Sequence, residues 1–393
     1  MQTEICSSLA ELSAAEWNRL NPDGYPFTRY EFLVALERHG CVGRGTGWHP
    51  RHLLLRDRQH RLVGALPLYL KDHSMGEFVF DWAWADAYER HGLAYYPRLV
   101  AAVPFTPVTG PRLLTPGAEA LRSSATDPAQ VRRTLADAAV EYARELGVSS
   151  LHCLFPGEDD RDSLARQGLL LRKACQFHWH NHGYAEFDDL LGAFSSAKRK
   201  KIRRERRRVS EAGIRMERVR GDRLDPALWP AIHRLYASTY HMRGRLPYLG
   251  RPFFEEISRT MGEQLVLVLA WTRGNLPVAA AITLRDDAAL YGRHWGADAD
   301  YHSLHFEACY YQGLEYCIEA GLARFDPGTQ GEHKVSRGFL PVATWSAHWI
   351  ADPRFRDAIA DFVQREVRYV DGYIEEMRTH SPYRSGDAAG AAS

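Results

Sequence analysis

The sequence predicts an α/β protein built from two related units, and three observations carry that prediction. Runs with strand periodicity alternate with amphipathic helical runs along the chain. The stretch LLLRDRQHRLVGALPLYL (53–70) aligns without a gap on LVLAWTRGNLPVAAAITL (267–284), with a polar turn in the same place and small residues after it. A length of 393 residues, 45% hydrophobic and 25% charged, is enough for two domains with cores of their own. The expected division is residues 1–182 and 183–380, with 381–393 a disordered tail.

In the first half, Leu9 to Leu20 reads as a short amphipathic helix closed by the turn Asn21-Pro22-Asp23-Gly24. Thr28, with Glu31 three residues on, predicts a capping box for a helix through Phe32, Leu33 and Leu36. Gly43-Arg44-Gly45-Thr46-Gly47 lacks the strand-before, helix-after context of a dinucleotide motif and reads as a flexible loop. His52–Leu55 and Leu62–Leu70 are expected strands joined by a polar turn, and Glu77–Trp84 a further strand. Asp81 and Asp86 stand in or beside that aromatic cluster. They are either carboxylates with raised pKa values or acids hydrogen-bonded to turn backbone. Tyr95–Ala102 is read as helical, and the four prolines between 104 and 116 as an extended wall. Residues 117–127 read as a surface loop, Pro128–Leu146 as a helix capped by Asp127, Val148–Phe155 as a strand, Asp160–Gln167 as a short helix and Leu169–Trp179 as a strand.

His178, His180 and His182 alternate, so on a strand they share one face, as metal ligands would. No carboxylate or cysteine motif accompanies them, and half-exposed strand histidines are the commoner case. From Lys198 to Arg208 nine of eleven residues are basic, interrupted by Ile202 and Glu205. Leu191, Phe194, Ile202 and Val209 make a narrow apolar stripe, and the rest of the helix is cationic. Such a helix is either a solvated face or a seat for phosphates. Helices are expected at Pro226–Tyr240, Pro252–Met261, Phe306–Ala320 and Phe355–Met377, and strands at Gln264–Trp271, Pro277–Leu284, Ala289–Trp295, Leu322–Asp326 and Val342–Ile350.

The densest chemistry lies in FDPGTQGEHKVSRGFLP (325–341). Glycines there let the backbone turn, and Glu332, His333, Lys334 and Arg337 put a carboxylate, an imidazole and two cations on one loop after a strand. The formal net charge of +1 gives no global bias toward nucleic acid or membrane. The N-terminus lacks the basic start and apolar core of a signal peptide, and no run approaches the ~18 apolar residues of a membrane span. Six scattered cysteines without a CxxC pair fit a reduced, cytoplasmic protein.

Several long motifs in order — PFTRYEFL, GTGWHPRHLLLRD, GALPLYLKDHSMGEFVFDWAWADAYERHG, VPFTPVTGPRLL, SSAKRKKIRRER and GTQGEHKVSRGFLPV — resemble the FemAB-like family of predicted N-acyltransferases, a name that carries a presumed link to peptidoglycan. The resemblance runs from about Tyr25 to about Phe362. It implies two tandem GNAT-like domains with mixed sheets flanked by helices. It also implies transfer of an acyl or aminoacyl group from acyl-CoA or aminoacyl-tRNA, a co-substrate rather than a tightly bound cofactor, to an amine such as a wall precursor. The segment GADADYHSLHFEACYY (296–311), where a GNAT enzyme holds pyrophosphate, has one glycine and two aspartates, which favours a tRNA-borne or other donor over acetyl-CoA. On this reading the base is His333 or Glu332, or Asp81 or Asp86 if the first domain contributes. Lys334 and Arg337 stabilise charge or grip phosphate, and Arg199, Lys200, Arg203 and Arg204 steer the donor. A non-catalytic RNA- or precursor-binding module on the same fold is the alternative.

Overall fold

A computed structural model describes residues 1–117, 127–329 and 331–384. Its strands are β1 (Gln2–Cys6), β2 (Trp48–Pro50), β3 (His52–Arg56), β4 (Leu62–Leu66), β5 (Leu68–Lys71), β6 (Arg98–Ala101), β7 (Ser150–Leu154), β8 (Leu170–His180), β9 (Arg215–Arg220), β10 (Leu265–Trp271), β11 (Pro277–Arg285), β12 (Ala289–Ala297), β13 (Arg324–Asp326) and β14 (Leu340–Ile350). The chain forms two compact units, Met1–Ala174 with Ala343–Asp371, and Cys175–Val342 with the chain from Gly372. The division departs from a single cut in sequence: most of β14 and of the last helix, Pro353–Thr379, belong to the first unit.

In the first unit β1, β3 and β4 form an antiparallel sheet in the order β1-β3-β4. In its other sheet β5 lies between β2 and β6, both antiparallel to it. β7 then runs parallel to β6, and β14 antiparallel to β7. The helix Pro128–Glu145 packs Val131, Leu135, Ala136, Ala139 and Ala143 against Leu53, Leu55, Val63 and Leu99. It starts where expected: the Asp127 carboxylate accepts from the Ala129 N–H, and Pro128 fills the first turn, where no N–H is needed.

In the second unit the order is β8-β13-β12-β11-β10-β9. Strands β9 to β12 form an antiparallel meander, β13 is parallel to β12, and β8 is antiparallel to β13. The repeat recurs as a hairpin in each unit, with its register offset. Leu53 pairs with Leu66, whereas the aligned Leu267 pairs with Ile282, two residues beyond Ala280, the residue aligned with Leu66.

Three expectations are corrected. The stretch Glu77–Trp84 is not a strand; it is a loop leading into the helix Trp82–Arg90. Tyr95–Ala102 is not helical: it contains β6, hydrogen-bonded on both sides. Thr28 does not cap the next helix. Arg29 sits at the N-cap without a side-chain cap, Asn18 Oδ1 accepts from the Tyr30 N–H, and Glu31 is engaged by Arg29 and Asn18. The glycine-rich segment 43–47 is a turn, as its context implied, with positive φ at Gly43, Gly45 and Gly47 and a bridge between Gly43 and Trp48. Of the expected tail, residues 385–393 lie outside the described residues, as do 118–126 of the expected loop. Before that, Tyr383 is half-buried and donates to the Gly338 carbonyl at 3.0 Å. Among the described residues no helix is long and apolar enough to cross a membrane.

Candidate functional site

The second unit opens a cleft where two parallel strands part. β12 pairs with β13 over three residues only, Ala289 with Arg324, Leu290 with Phe325 and Tyr291 with Asp326. β12 then runs on to Ala297, while the chain after Asp326 turns away at Pro327-Gly328. Two local features produce the divergence. Gly292 packs against the Pro327 backbone, where an added Cβ would lie 3.2 Å away. Pairing with β11 slips between Thr283–Gly292 and Ile282–His294, so Arg293 is an extra, bulged residue that bends the strand. The carbonyls of Trp295 and Ala297, on the edge left without a strand, accept from Thr239 Oγ1 (2.6 Å) and Ser238 Oγ (3.3 Å) of the helix Trp229–His241.

The cleft is a small cavity of about 90 Å³ between β11, the Gly292–Trp295 part of β12, Pro327, and His305, Cys309 and Tyr310. Those last three lie on the helical run after β12, which is not one regular helix. Leu304–Phe306 leads into a π turn, Glu307–Tyr311, and then into Gln312–Glu319. A π turn inserts one residue and rotates the side chains around it. Here Tyr310 reaches the cleft and, with Oη 2.9 Å from Nε2, His333, while Tyr311 bonds to Glu205.

The loop after β13 contributes the rest. Gly331 and Gly338 flank the turn Glu332–Arg337 with φ of 107° and 96°, a region that favours glycine. His333 is held below the usual imidazole range by burial and by the charges of Arg337, Lys334 and Lys201. Burial lowers the Lys334 ammonium to about 8, opposed by Asp326, and the amine donates to the Gly328 carbonyl. His305 is lowered to about 4, chiefly by burial, and is neutral at pH 7. Burial pushes the thiol of Cys309 and the phenol of Tyr310 up, so neither ionises near neutrality.

The expected site residues fall into separate groups. His333 and Lys334 belong to the loop beside the cleft. Glu332 is exposed, and its carboxylate accepts from Tyr373 at 2.9 Å. Arg337 has no guanidinium edge left for phosphate: its donors go to both Glu205 oxygens (2.9 Å each), Tyr311 Oη (3.0 Å) and the His333 carbonyl (2.8 Å). On the basic helix Ser196–Glu211, Arg199 donates to the carbonyls of Leu191 and Phe194, and Arg203 pairs with Asp188 at 3.2 Å. Lys200 and Arg204 are exposed. The apolar stripe faces inward as expected, with Ile202 and Val209 buried.

Asp81 and Asp86 lie in the first unit. Asp86 is exposed on its helix. Asp81 is buried and fully committed: it accepts from Ser74 Oγ and Tyr95 Oη, 2.6 Å each, and from Arg98 Nη2 at 2.8 Å. Arg98 also pairs with Glu77 at 2.7 Å. The Arg98 cluster is a buried anchor, which ties Asp81 down rather than freeing it as a base. The alternating histidines do not converge: His178 is buried 3.5 Å from Asp326, and His180 is exposed. Among the described residues no group of three or more His, Cys, Asp or Glu is placed to hold a metal. Tyr310, Tyr311 and His305 were outside the sequence expectation, because an apolar helix reads as core and gives no sign of a π turn.

A mixed sheet flanked by helices, whose parallel strands separate over a cleft with a helix following the first of them, defines an α/β protein. The chain belongs to the FemAB-like family, described as peptidoglycan biosynthesis/recognition, whose model matches residues 8–385. Two solved structures share the fold at 12% identity and a TM-score of 0.53 each. One is the C-terminal domain of a putative lysylphosphatidylglycerol synthetase from Agrobacterium fabrum, with 92% of this chain and 96% of that one covered. The other is FemX, with 92% and 100% covered. No curated protein sequence matches the chain.

Proposed function

We propose that the second unit transfers an acyl or aminoacyl group from an activated donor to an amine, with chemistry at the mouth of the β12–β13 cleft. The observation that carries this reading is the Tyr310–His333 pair at the cleft. The amine nitrogen attacks the donor's carbonyl carbon, the new C–N bond forms, and the donor's ester or thioester bond breaks. The amine proton passes to Tyr310 Oη as the phenol's own proton moves to Nε2 of neutral His333, and the reverse transfer returns a proton through Tyr310 to the leaving oxygen or sulfur. Lys334 offsets negative charge developing beside them. The thiol of Cys309 lines the cleft, but its raised pKa argues against a covalent intermediate.

The donor is aminoacyl-tRNA rather than acyl-CoA on two grounds. The turn joining β12 to its helix carries Asp298 and Asp300, both exposed, and no glycine, a poor cradle for pyrophosphate. Cations of the basic helix turn outward at Lys200 and Arg204, available to phosphates. The family's description supports a peptidoglycan precursor as the acceptor. The test is a thermal-shift series with coenzyme A, acyl-CoAs and bulk tRNA at low and high salt, followed by a transfer assay with the donor that binds. A ligand at about a hundred times its dissociation constant stabilises by about 2.7 kcal/mol. Stabilisation by tRNA that salt abolishes supports this donor; stabilisation by acyl-CoA that survives salt replaces it. No amide product with any donor would leave a binding module.

A further inference from the structure

We infer that Glu205, Tyr311 and Arg337 are positioning residues that fix His333 in place and set the pH at which it takes up a proton, an inference that rests on the proposed role of His333. Glu205 is the lone acid in the basic run, and it turns inward: it is 6% exposed. Both its oxygens accept from Arg337 Nη2 at 2.9 Å. Tyr311 Oη donates to Glu205 and accepts from Arg337 Nε at 3.0 Å, which closes a three-membered cycle. Arg337 Nη1 carries the cycle to the loop by donating to the His333 carbonyl at 2.8 Å. Its guanidinium also lies 3.5 Å from the centroid of the Phe306 ring, which in turn packs against His333. A buried arginine with every edge engaged has one geometry, so the His333 backbone is fixed from below while Tyr310 holds the ring.

The charges around His333 make the cycle electrostatic as well as mechanical. Arg337 and Lys334 face it from its own turn and Lys201 from the basic helix, all disfavouring the imidazolium. His305 and Tyr310, from the run after β12, are neutral near pH 7, and Glu332 is drawn off to Tyr373. Glu205 is the carboxylate that neutralises Arg337. Removing it strengthens the cation's field on His333; removing Arg337 weakens that field. The two variants therefore move the His333 titration in opposite directions, which loss of packing alone does not do.

The experiment is an NMR titration of His333 in the full chain, its ring signal assigned by its loss in His333→Gln. Glu205→Gln is expected to lower the midpoint and Arg337→Met to raise it, each by about half to one pH unit. If Arg337→Met does not fold, the double variant Glu205→Met/Arg337→Met leaves no lone buried charge and is expected to raise the midpoint by a smaller amount. Midpoints that stay put, or move the same way in both variants, overturn the inference. Turnover gives the second readout: Tyr311→Phe is expected to lower kcat about tenfold with KM unchanged. Wild-type turnover in His333→Ala would instead remove the base assignment while leaving the titration result intact, so the two failures are distinguishable.

Discussion

The hydroxyl of Tyr310 and Nε2 of His333 stand 2.9 Å apart, linking a buried phenol on a π turn to an imidazole on a loop 23 residues away. When the phenol donates, Nε2 is the acceptor and the ring is neutral, the state that its lowered pKa favours at pH 7. A proton arriving at His333 has a path through Tyr310 toward a leaving group in the cleft.

That pairing makes the first prediction. His333→Ala is expected to lower kcat about 10²- to 10⁴-fold, the usual range for loss of a positioned acid–base group, with KM nearly unchanged. Tyr310→Phe keeps the ring packing and removes the proton path, so its kcat is expected to fall less than that of His333→Ala. Steady-state kinetics with the donor identified by thermal shift checks both. Activity of the wild-type protein should fall as pH drops and His333 is protonated.

A second prediction concerns how the cleft stays open. A Cβ on Gly296 would lie 1.7 Å from the Leu235 carbonyl oxygen, backbone against backbone. The helix Trp229–His241 would have to leave the edge of β12 to admit it. Gly296→Ala is expected to destabilise by about 3 kcal/mol, the upper end for overpacking. Gly192 is the control: it lies in the helix Phe187–Ala193 with nothing within 4 Å of an added Cβ. Gly192→Ala is expected to be neutral or to stabilise by up to about 1 kcal/mol. Equal unfolding midpoints for Gly296→Ala and wild type in urea would contradict this reading of the β12 edge.

These two cases mark what the sequence could and could not disclose. The meander, the long helices and the loop 325–341 follow from local signals: hydrophobic period, caps, and titratable groups between glycines. The segment Glu77–Trp84 misleads because its alternation is genuine but inverted. Glu77 and Asp81 are buried, and Phe80 and Trp82 are exposed at 63% and 56%. Arg98, distant in sequence, makes that inversion possible by pairing with both acids. The same limit hid the cleft: Tyr310 and Tyr311 look like one core stripe until a π turn points them at different partners. Glu205 looked like an interruption of a basic run because its partner Arg337 is 132 residues on.

The third prediction separates cations that bind from cations that hold the fold. Arg206 forms ion pairs with Glu307 and Glu315 at 3.1 and 3.0 Å, so Arg206→Ala leaves a buried acid short of its partner. It is expected to cost stability rather than tRNA affinity. Lys200→Gln and Arg204→Gln are expected to do the reverse: unfolding within about 0.5 kcal/mol of wild type, and a plot of log affinity against log salt about one unit shallower for each lost contact. Filter binding with bulk tRNA across a salt series reads the slope. Unchanged slopes in both glutamine variants would remove this helix from the donor's path.

The last prediction turns on Lys71, which is fully buried beside its cross-strand partner Arg98. Among the described residues its amine has only long contacts, 3.3 Å to His73 Nδ1 and 3.4 Å to the Met75 carbonyl, and it lies 4.0 Å from the centroid of the Trp48 ring. Burial lowers its pKa to about 7, against the pull of Glu77. An unfolded lysine titrates near 10.4, so between about pH 7 and about pH 10 the unfolded chain binds this proton and the folded chain does not. Stability therefore rises with pH across that window, by up to about 1.4 kcal/mol per pH unit from this group. Lys71→Met keeps an unbranched side chain of similar length and has no proton to lose. The wild-type minus variant difference in unfolding free energy is expected to climb from pH 7 to pH 10 and to flatten below pH 7, as urea titrations at several pH values would show. A difference that is flat from pH 7 to pH 10 would mean that the folded protein keeps Lys71 charged throughout, with the Glu77 and Asp81 carboxylates holding two cations instead of one.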